Sequence, residues 1–369
     1  MFRQIFIFCI ILFSTQAQEV KFNEEEVRER LEILNKKTPL ELIYNSDVEK
    51  HIKAYIYKGR SSISKILSDT EYYFPIIEPI LDTYNIPLEL KYLPVIESRF
   101  IPTAKSPVGA RGMWQIMFNT AKEYNLIISS YIDERMDVVK STKAACEYFL
   151  ESQARFKDWT TSIASYNAGK YGVLKAIKRS GGKKNYWEYR PYLPKETREY
   201  VPKLIAAIYI MNYAPEHGIH IKNENNIFNN DIDTIHIKRQ ISFINLSSLI
   251  DLELSTIEAL NPSYKIGVVP SVIGKDFYVN LPIEKIEYFI ENKDSIYEKL
   301  NKMEPKNEYP NYEEMVKKII YRIKPGDSIG KLAAKFNCRI KDIMLWNGMK
   351  TTTIIAGKKL KIYVNADYE

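Results

Sequence analysis

From position 71 to position 213 no run alternates apolar and polar residues convincingly enough for a sheet. The apolar residues recur at helical spacing instead. Breaks fall at Asn85-Ile86-Pro87, Ser106-Pro107-Val108-Gly109, Asn167-Ala168-Gly169 and Ser180-Gly181-Gly182. The segment is therefore read as a compact, mainly α domain, and roughly 140 residues is a natural size for one. The charged stretch before it carries Leu31, Ile33, Leu34, Ile52 and Ile56 and is expected to pack on that domain as further helices.

Beyond an asparagine-rich linker the pattern changes. Leu246, Ile250, Leu254, Ile257, Leu260 and Asn261 are repeated at the same spacings by Leu332, Phe336, Ile340, Ile343, Trp346 and Asn347. Such self-similarity marks duplicated small modules. Each copy opens and closes on a strand-like run, predicting two β-α-α-β units. The chain of 369 residues thus divides into a leader at 1–17, a helical region at 18–70, the α domain at 71–215, a linker at 216–230, a first module at 231–283, a charged helical spacer at 284–316 and a second module at 317–365.

The leader has Arg3, an apolar run from Ile5 to Phe13, and small residues ending at Ala17. That is the pattern of a secretory signal peptide, and the run is too short to span a bilayer. Cys9 follows bulky residues, unlike a lipid-acceptor cysteine. The remaining cysteines, Cys146 and Cys338, are expected as free thiols. The net charge of +7 is spread along the chain without a nucleic-acid motif, which favours an anionic matrix over nucleic acid. The four histidines show no metal-ligand spacing, so neither a metal nor a cofactor is expected.

Chemistry concentrates around Glu97. The run from Pro87 to Ser98 predicts one mostly apolar helix, with Pro87 in its first turn and Pro94 distorting it near its end. Glu97 lies one turn beyond Leu93, beside an apolar face, where a carboxyl loses hydration and its pKa rises. A general acid needs that near neutral pH. An ordinary solvated cap would look the same taken alone. The neighbours add a tight path through Gly109 and Gly112 to Met113, Trp114 and Gln115. They also add a helix end at Ser165-Tyr166-Asn167-Ala168-Gly169 and a further helix carrying Tyr200.

In these residues the chain resembles the lytic transglycosylase family related to goose-type lysozyme, in its membrane-bound lytic murein transglycosylase D branch. That family carries a glutamate–serine pair, a glycine-to-glutamine element, a tyrosine–asparagine–alanine–glycine element and a later tyrosine. Here they stand in order as Glu97-Ser98, Gly112-Met113-Trp114-Gln115, Tyr166-Asn167-Ala168-Gly169 and Tyr200. The resemblance implies a lysozyme-like fold and an enzyme that cleaves the MurNAc–GlcNAc β-1,4 bond of peptidoglycan without water, leaving 1,6-anhydro ends. It implies that Glu97 is the catalytic acid and base, and that Ser106, Met113, Gln115, Tyr166, Asn167 and Tyr200 bind or orient substrate. Ser106 sits in a loop that departs from the family by carrying Pro107. For Met113 a core position stays open, and Trp114 is assigned to the core.

Ordinary glycosidases use two carboxyls. Between Glu97 and Glu123 the chain has no other Asp or Glu, and Asp133 and Asp137 are read as solvated helix-end charges. Two other readings remain: a hydrolysing muramidase with a second carboxylate, and a non-catalytic wall-binding scaffold. The run Tyr321-Arg322-Ile323-Lys324-Pro325-Gly326-Asp327, with Trp346-Asn347-Gly348, resembles a LysM module, implying binding to N-acetylglucosamine-containing glycan. The first copy has Lys238-Arg239-Gln240 in place of the proline–glycine–aspartate turn and reads as degenerate. The expected molecule is an exported monomer of the periplasm or cell envelope, with its modules tethered to raise glycan concentration at the cleft.

Overall fold

The computed structural model describes residues 22–221, 231–303, 309–315, 317–336 and 338–364. The leader expected at 1–17 and the asparagine-rich part of the linker lie outside these residues. The helical part runs α1 (Glu24–Asn35), α2 (Ser46–Tyr57), α3 (Arg60–Thr83), α4 (Leu93–Glu97), α5 (Phe118–Glu123), α6 (Val138–Phe156), α7 (Trp159–Ala168), α8 (Lys170–Arg179), α9 (Tyr186–Tyr189) and α10 (Lys195–Tyr213). Asn23, Asn45, Asp137 and Asp158 cap α1, α2, α6 and α7, each accepting backbone N–H groups that a helix start leaves free. Helix α10 is the axis of the bundle. Its Val201, Leu204, Ile205, Ile208 and Ile210 are buried against α2, α4 and α7. Val27, Leu31, Ile52, Ile56, Ile63 and Ile77 belong to the same core, and α3 runs straight through position 70, so the N-terminal helices and the α domain share one interior.

The single helix expected over 87–98 is two pieces. A 3-10 turn spans Leu88–Tyr92, and one turn of α-helix follows at Leu93–Glu97. Pro94 has no N–H to offer Leu90, so the i to i−4 ladder cannot run across it. The break places Glu97 at the last residue of a short helix and turns the chain sharply after it.

The modules have the expected β-α-α-β order. The first comprises β1 (Ile232–Ile237), a short β2 (Ile241–Ser242), α11 (Phe243–Ile250), α12 (Leu254–Leu260), a short β3 (Val268–Val269) and β4 (Phe277–Pro282). Strands β1 and β4 pair antiparallel. Next come α13 (Ile283–Glu291) and α14 (Lys293–Met303), then the second module: β5 (Lys317–Arg322), α15 (Ile329–Lys335), α16 (Ile340–Asn347) and β6 (Lys359–Val364), with β5 and β6 antiparallel.

The repeated asparagine explains itself. Asn261 donates to the Ile257 carbonyl at 2.9 Å and the Asn280 carbonyl at 2.8 Å, and accepts from the Asn280 N–H at 2.8 Å. Asn347 makes the same three bonds, to the Ile343 carbonyl, the Lys361 carbonyl and from the Lys361 N–H, each at 2.8 Å. One amide in each copy therefore ties the end of a helix to the closing strand.

The stretch read as a charged spacer is helical, but it is not free-standing. Phe289, Ile296, Tyr297 and Leu300 bury themselves in the first module's core. Helix α14 also repairs that module's missing turn. In the second copy Asp327 accepts from the Lys324 N–H at 2.7 Å and from the Tyr321 hydroxyl at 2.9 Å. In the first copy the N–H of Lys238, which stands in the register of Lys324, instead donates to the Tyr297 hydroxyl at 3.3 Å.

Both modules dock on the helical part through the loop between α5 and α6. Asp133 N–H donates to the Ser263 carbonyl at 2.9 Å and Lys265 N–H to the Tyr131 carbonyl at 2.8 Å. The segment before the second module runs along the same loop: Ser130 N–H donates to the Glu313 carbonyl at 2.9 Å and Met315 N–H to the Ile128 carbonyl at 2.6 Å. Phe118 and Tyr363 then meet with ring centroids 4.5 Å apart. This corrects the expectation of modules held only by a tether. Tyr131 and Ile132 need the first module to cover them, and an uncovered apolar face would be costly.

Candidate active site

The turn that follows α4 is built from unusual backbone. Arg99 and Phe100 both have left-handed φ, 57° and 58°, a conformation that costs non-glycine residues energy. Burial of Phe100, stacked on Tyr73 with centroids 5.8 Å apart, holds it there. Ser98 closes the turn from within by donating to the Met113 carbonyl at 2.8 Å. The chain then returns through 104–116. Gly112 is obligatory in that return: its φ is +83°, and a Cβ there would lie 1.7 Å from the Arg135 carbonyl oxygen.

These turns leave a cleft of about 610 Å³ above Glu97. Glu97 is partly buried, and the Tyr200 hydroxyl on α10 donates to its Oε1. Burial lifts the carboxyl from an ordinary 4.5 to about 7; the Tyr200 hydrogen bond opposes the rise, Glu196 adds to it and Lys203 subtracts from it. Tyr200 and Tyr166 are themselves pushed well above the ordinary phenol value, by burial first and by the Glu97 charge second. Neither phenol can act as an anion near neutral pH. Tyr200 is instead a donor to one carboxyl oxygen of Glu97, Oε1.

The other expected residues are sorted by this geometry. Ser106 and Gln115 line the cleft with Glu97. Ser106 Oγ accepts from the Ala110 N–H at 2.9 Å, while Gln115, at φ 50°, donates to the Gly112 carbonyl at 2.8 Å. Tyr166 lies behind Glu97, stacked on Phe149 and donating to the Trp114 carbonyl at 2.8 Å. Asn167 is turned to α10, accepting from the Thr197 hydroxyl at 2.7 Å. Met113 is only 1% exposed and packs in the core beside the cleft rather than lining it. Trp114 is fully buried and donates to Thr142 at 2.8 Å.

Asp133 and Asp137 are not the solvated charges expected of them. Asp133 is buried between Arg135 at 2.7 Å and Arg111 at 3.6 Å, and Asp137 caps α6. Neither lines the cleft, where Glu97 is the only carboxylate among the described residues. Among those residues no group of three or more His, Cys, Asp or Glu side chains is placed to hold a metal ion. Cys146 and Cys338 are free thiols.

Comparison with known proteins agrees with this arrangement. Residues 75–189 match the transglycosylase SLT domain, 231–298 the LysM-like domain of lytic transglycosylase MltD, and 321–362 the LysM domain. The chain is 26% identical over 326 residues to membrane-bound lytic murein transglycosylase D of Escherichia coli (strain K12), covering 86% of this chain and 69% of that protein. The matched domains and relatives support a lytic transglycosylase. The transglycosylase is also 29% identical over 152 residues to membrane-bound lytic murein transglycosylase F of Vibrio campbellii, covering 37% of this chain and 26% of that one. Among solved structures it is similar to the 70 kDa soluble lytic transglycosylase of Escherichia coli, at 26% identity and a TM-score of 0.33, over 39% of this chain and 24% of that chain.

Sequence reasoning missed part of this transglycosylase's cleft. Tyr55, Ser62, Arg99, Lys105 and Lys203 also line it. The signal for Lys203 was available, since it stands three residues beyond Tyr200 on the same helix. Tyr55 and Ser62 come from the N-terminal helices, which were expected to pack on the α domain and which also supply part of the cleft wall.

Proposed function

We propose that Glu97 performs a non-hydrolytic cleavage of the MurNAc–GlcNAc bond in peptidoglycan. Its proton passes to the glycosidic oxygen as the bond from that oxygen to the muramyl C1 breaks. The muramyl C6 oxygen then bonds to C1, and its proton passes to Glu97, which ends as it began. The products are a 1,6-anhydromuramyl end and a free GlcNAc hydroxyl. The observation that carries this reading is a carboxyl that burial lifts to about 7, in a cleft lined by no second Asp or Glu among the described residues.

In this reading Gln115 and Ser106 contact sugar, Tyr200 orients Glu97, and Tyr166 and Asn167 position the cleft walls from behind. Met113 acts by packing. The two modules bind N-acetylglucosamine-containing glycan beside the cleft, and the protein works in the cell envelope after export through residues 1–17. Replacing Glu97 by Gln tests the assignment. Release of soluble fragments from purified peptidoglycan should fall roughly a thousandfold, the scale of a lost general acid. A variant that still digests at the wild-type rate would overturn it.

A further inference from the structure

The cleft carries more positive charge than this proton transfer uses. Arg99, Lys105 and Lys203 line it together with Glu97. Arg99 is exposed and Lys203 half-buried, and neither has a hydrogen-bond or ion-pair partner among the described residues. Several cations elsewhere in the fold are matched: Arg135 to Asp133, Arg190 to Asp47 and Lys91 to Glu78. Arg99 is turned outward by the same left-handed turn that buries Phe100. Lys203 is held on the other side by α10, close enough to act electrostatically on Glu97. Two unmatched cations in a concave site flank the catalytic carboxyl from different elements. Low-dielectric walls focus their field into the cleft, where an anionic group on a ligand would meet it.

The sugar rings of the proposed substrate are neutral, but the lactyl arm of each muramyl residue is not. It ends either in its own carboxylate or in a peptide that bears carboxylates. Resting on the transglycosylase reading, we infer that Arg99 and Lys203 bind a carboxylate on the lactyl arm of the muramyl residue in the cleft, so that the cleft selects acid-bearing strands. This gives the enzyme a grip that a neutral N-acetylglucosamine polymer cannot supply.

The test measures kcat and KM on three preparations of soluble strands: intact, with carboxyls converted to amides, and stripped of peptides by an amidase so that the lactyl carboxylate is bare. Amidation should raise the wild-type KM roughly tenfold, the worth of one charge-assisted contact, with kcat little changed. Arg99→Gln should raise KM to a similar degree on intact strands and no further on amidated ones, and Lys203→Gln should follow the same pattern. An unchanged KM on stripped strands shows that the bared lactyl carboxylate meets the same two cations in place of the peptide's; a raised one shows that only a carboxylate on the peptide reaches them. Equal KM for intact and amidated strands, with anhydro ends formed from both, would overturn the inference and leave the reaction standing. So would losses from mutation and amidation that multiply. If the wild-type protein forms no anhydro ends on any preparation, the reaction reading falls and this inference falls with it.

Discussion

At the residue scale the account turns on Glu97 being neutral when substrate arrives. Because its proton is needed first, kcat/KM should fall as pH rises through about 7. Tyr200→Phe removes a donor that favours the charged form, so that limb should move to higher pH while kcat drops; an unshifted limb would show that the two side chains do not couple. The raised pKa also has a stability consequence. The carboxyl is neutral in both folded and unfolded protein below about 4.5, and its charge opposes folding as pH rises through 7. Glu97→Gln should therefore melt like the wild type at pH 4 and be more stable at pH 8, by on the order of 2–3 kcal/mol. Much of this was legible in the sequence. The acidic end of an apolar helix, the glycine path to Gln115 and the later Tyr200 all carry local signatures. What was not legible depends on packing. Met113 and Gln115 are two residues apart, and only the left-handed backbone at Gln115 decides which of them faces the cleft.

At the element scale the repeat was readable because one amide must serve the same three bonds in each copy. Asn347→Ala should leave the Lys361 backbone groups without partners and cost about 1–3 kcal/mol, read as a lower melting temperature of the full chain. Asn261→Ala should do the same through Asn280. Gly112→Ala should be worse than either, since its Cβ would overlap the Arg135 carbonyl and the positive φ would be strained; a variant that melts and cleaves like the wild type would contradict the path drawn for that loop. The helix expected over 87–98 shows the limit of periodicity. The apolar pattern is continuous through Pro94, while the hydrogen bonds cannot be. The charged spacer shows a second limit. Helix α14 is amphipathic, and nothing local in it says that Tyr297 will replace an aspartate lost from a distant turn.

At the scale of the whole molecule the modules are part of the enzyme's body. The loop between α5 and α6 has no regular periodicity in sequence, and its Tyr131 and Ile132 become buried through residues more than a hundred positions later. Docking of that kind has no local signature. The back of the loop that bears Ser106 is also covered, because Lys361 Nζ donates to the Pro107 carbonyl at 3.4 Å and Tyr363 packs on Phe118. A chain ending at residue 221 should therefore melt at lower temperature and bind a hydrophobic dye that the full chain excludes. Unchanged melting would mean that the modules add nothing to the helical part.

The central claim is that sugar oxygen, and not water, attacks C1 while Glu97 alone handles the proton. Digestion of purified peptidoglycan in heavy-oxygen water, followed by mass analysis of the fragments, addresses it directly. The account predicts muramyl ends lighter by one water than hydrolysed ends and free of the heavy isotope. Reducing ends carrying heavy oxygen would contradict it.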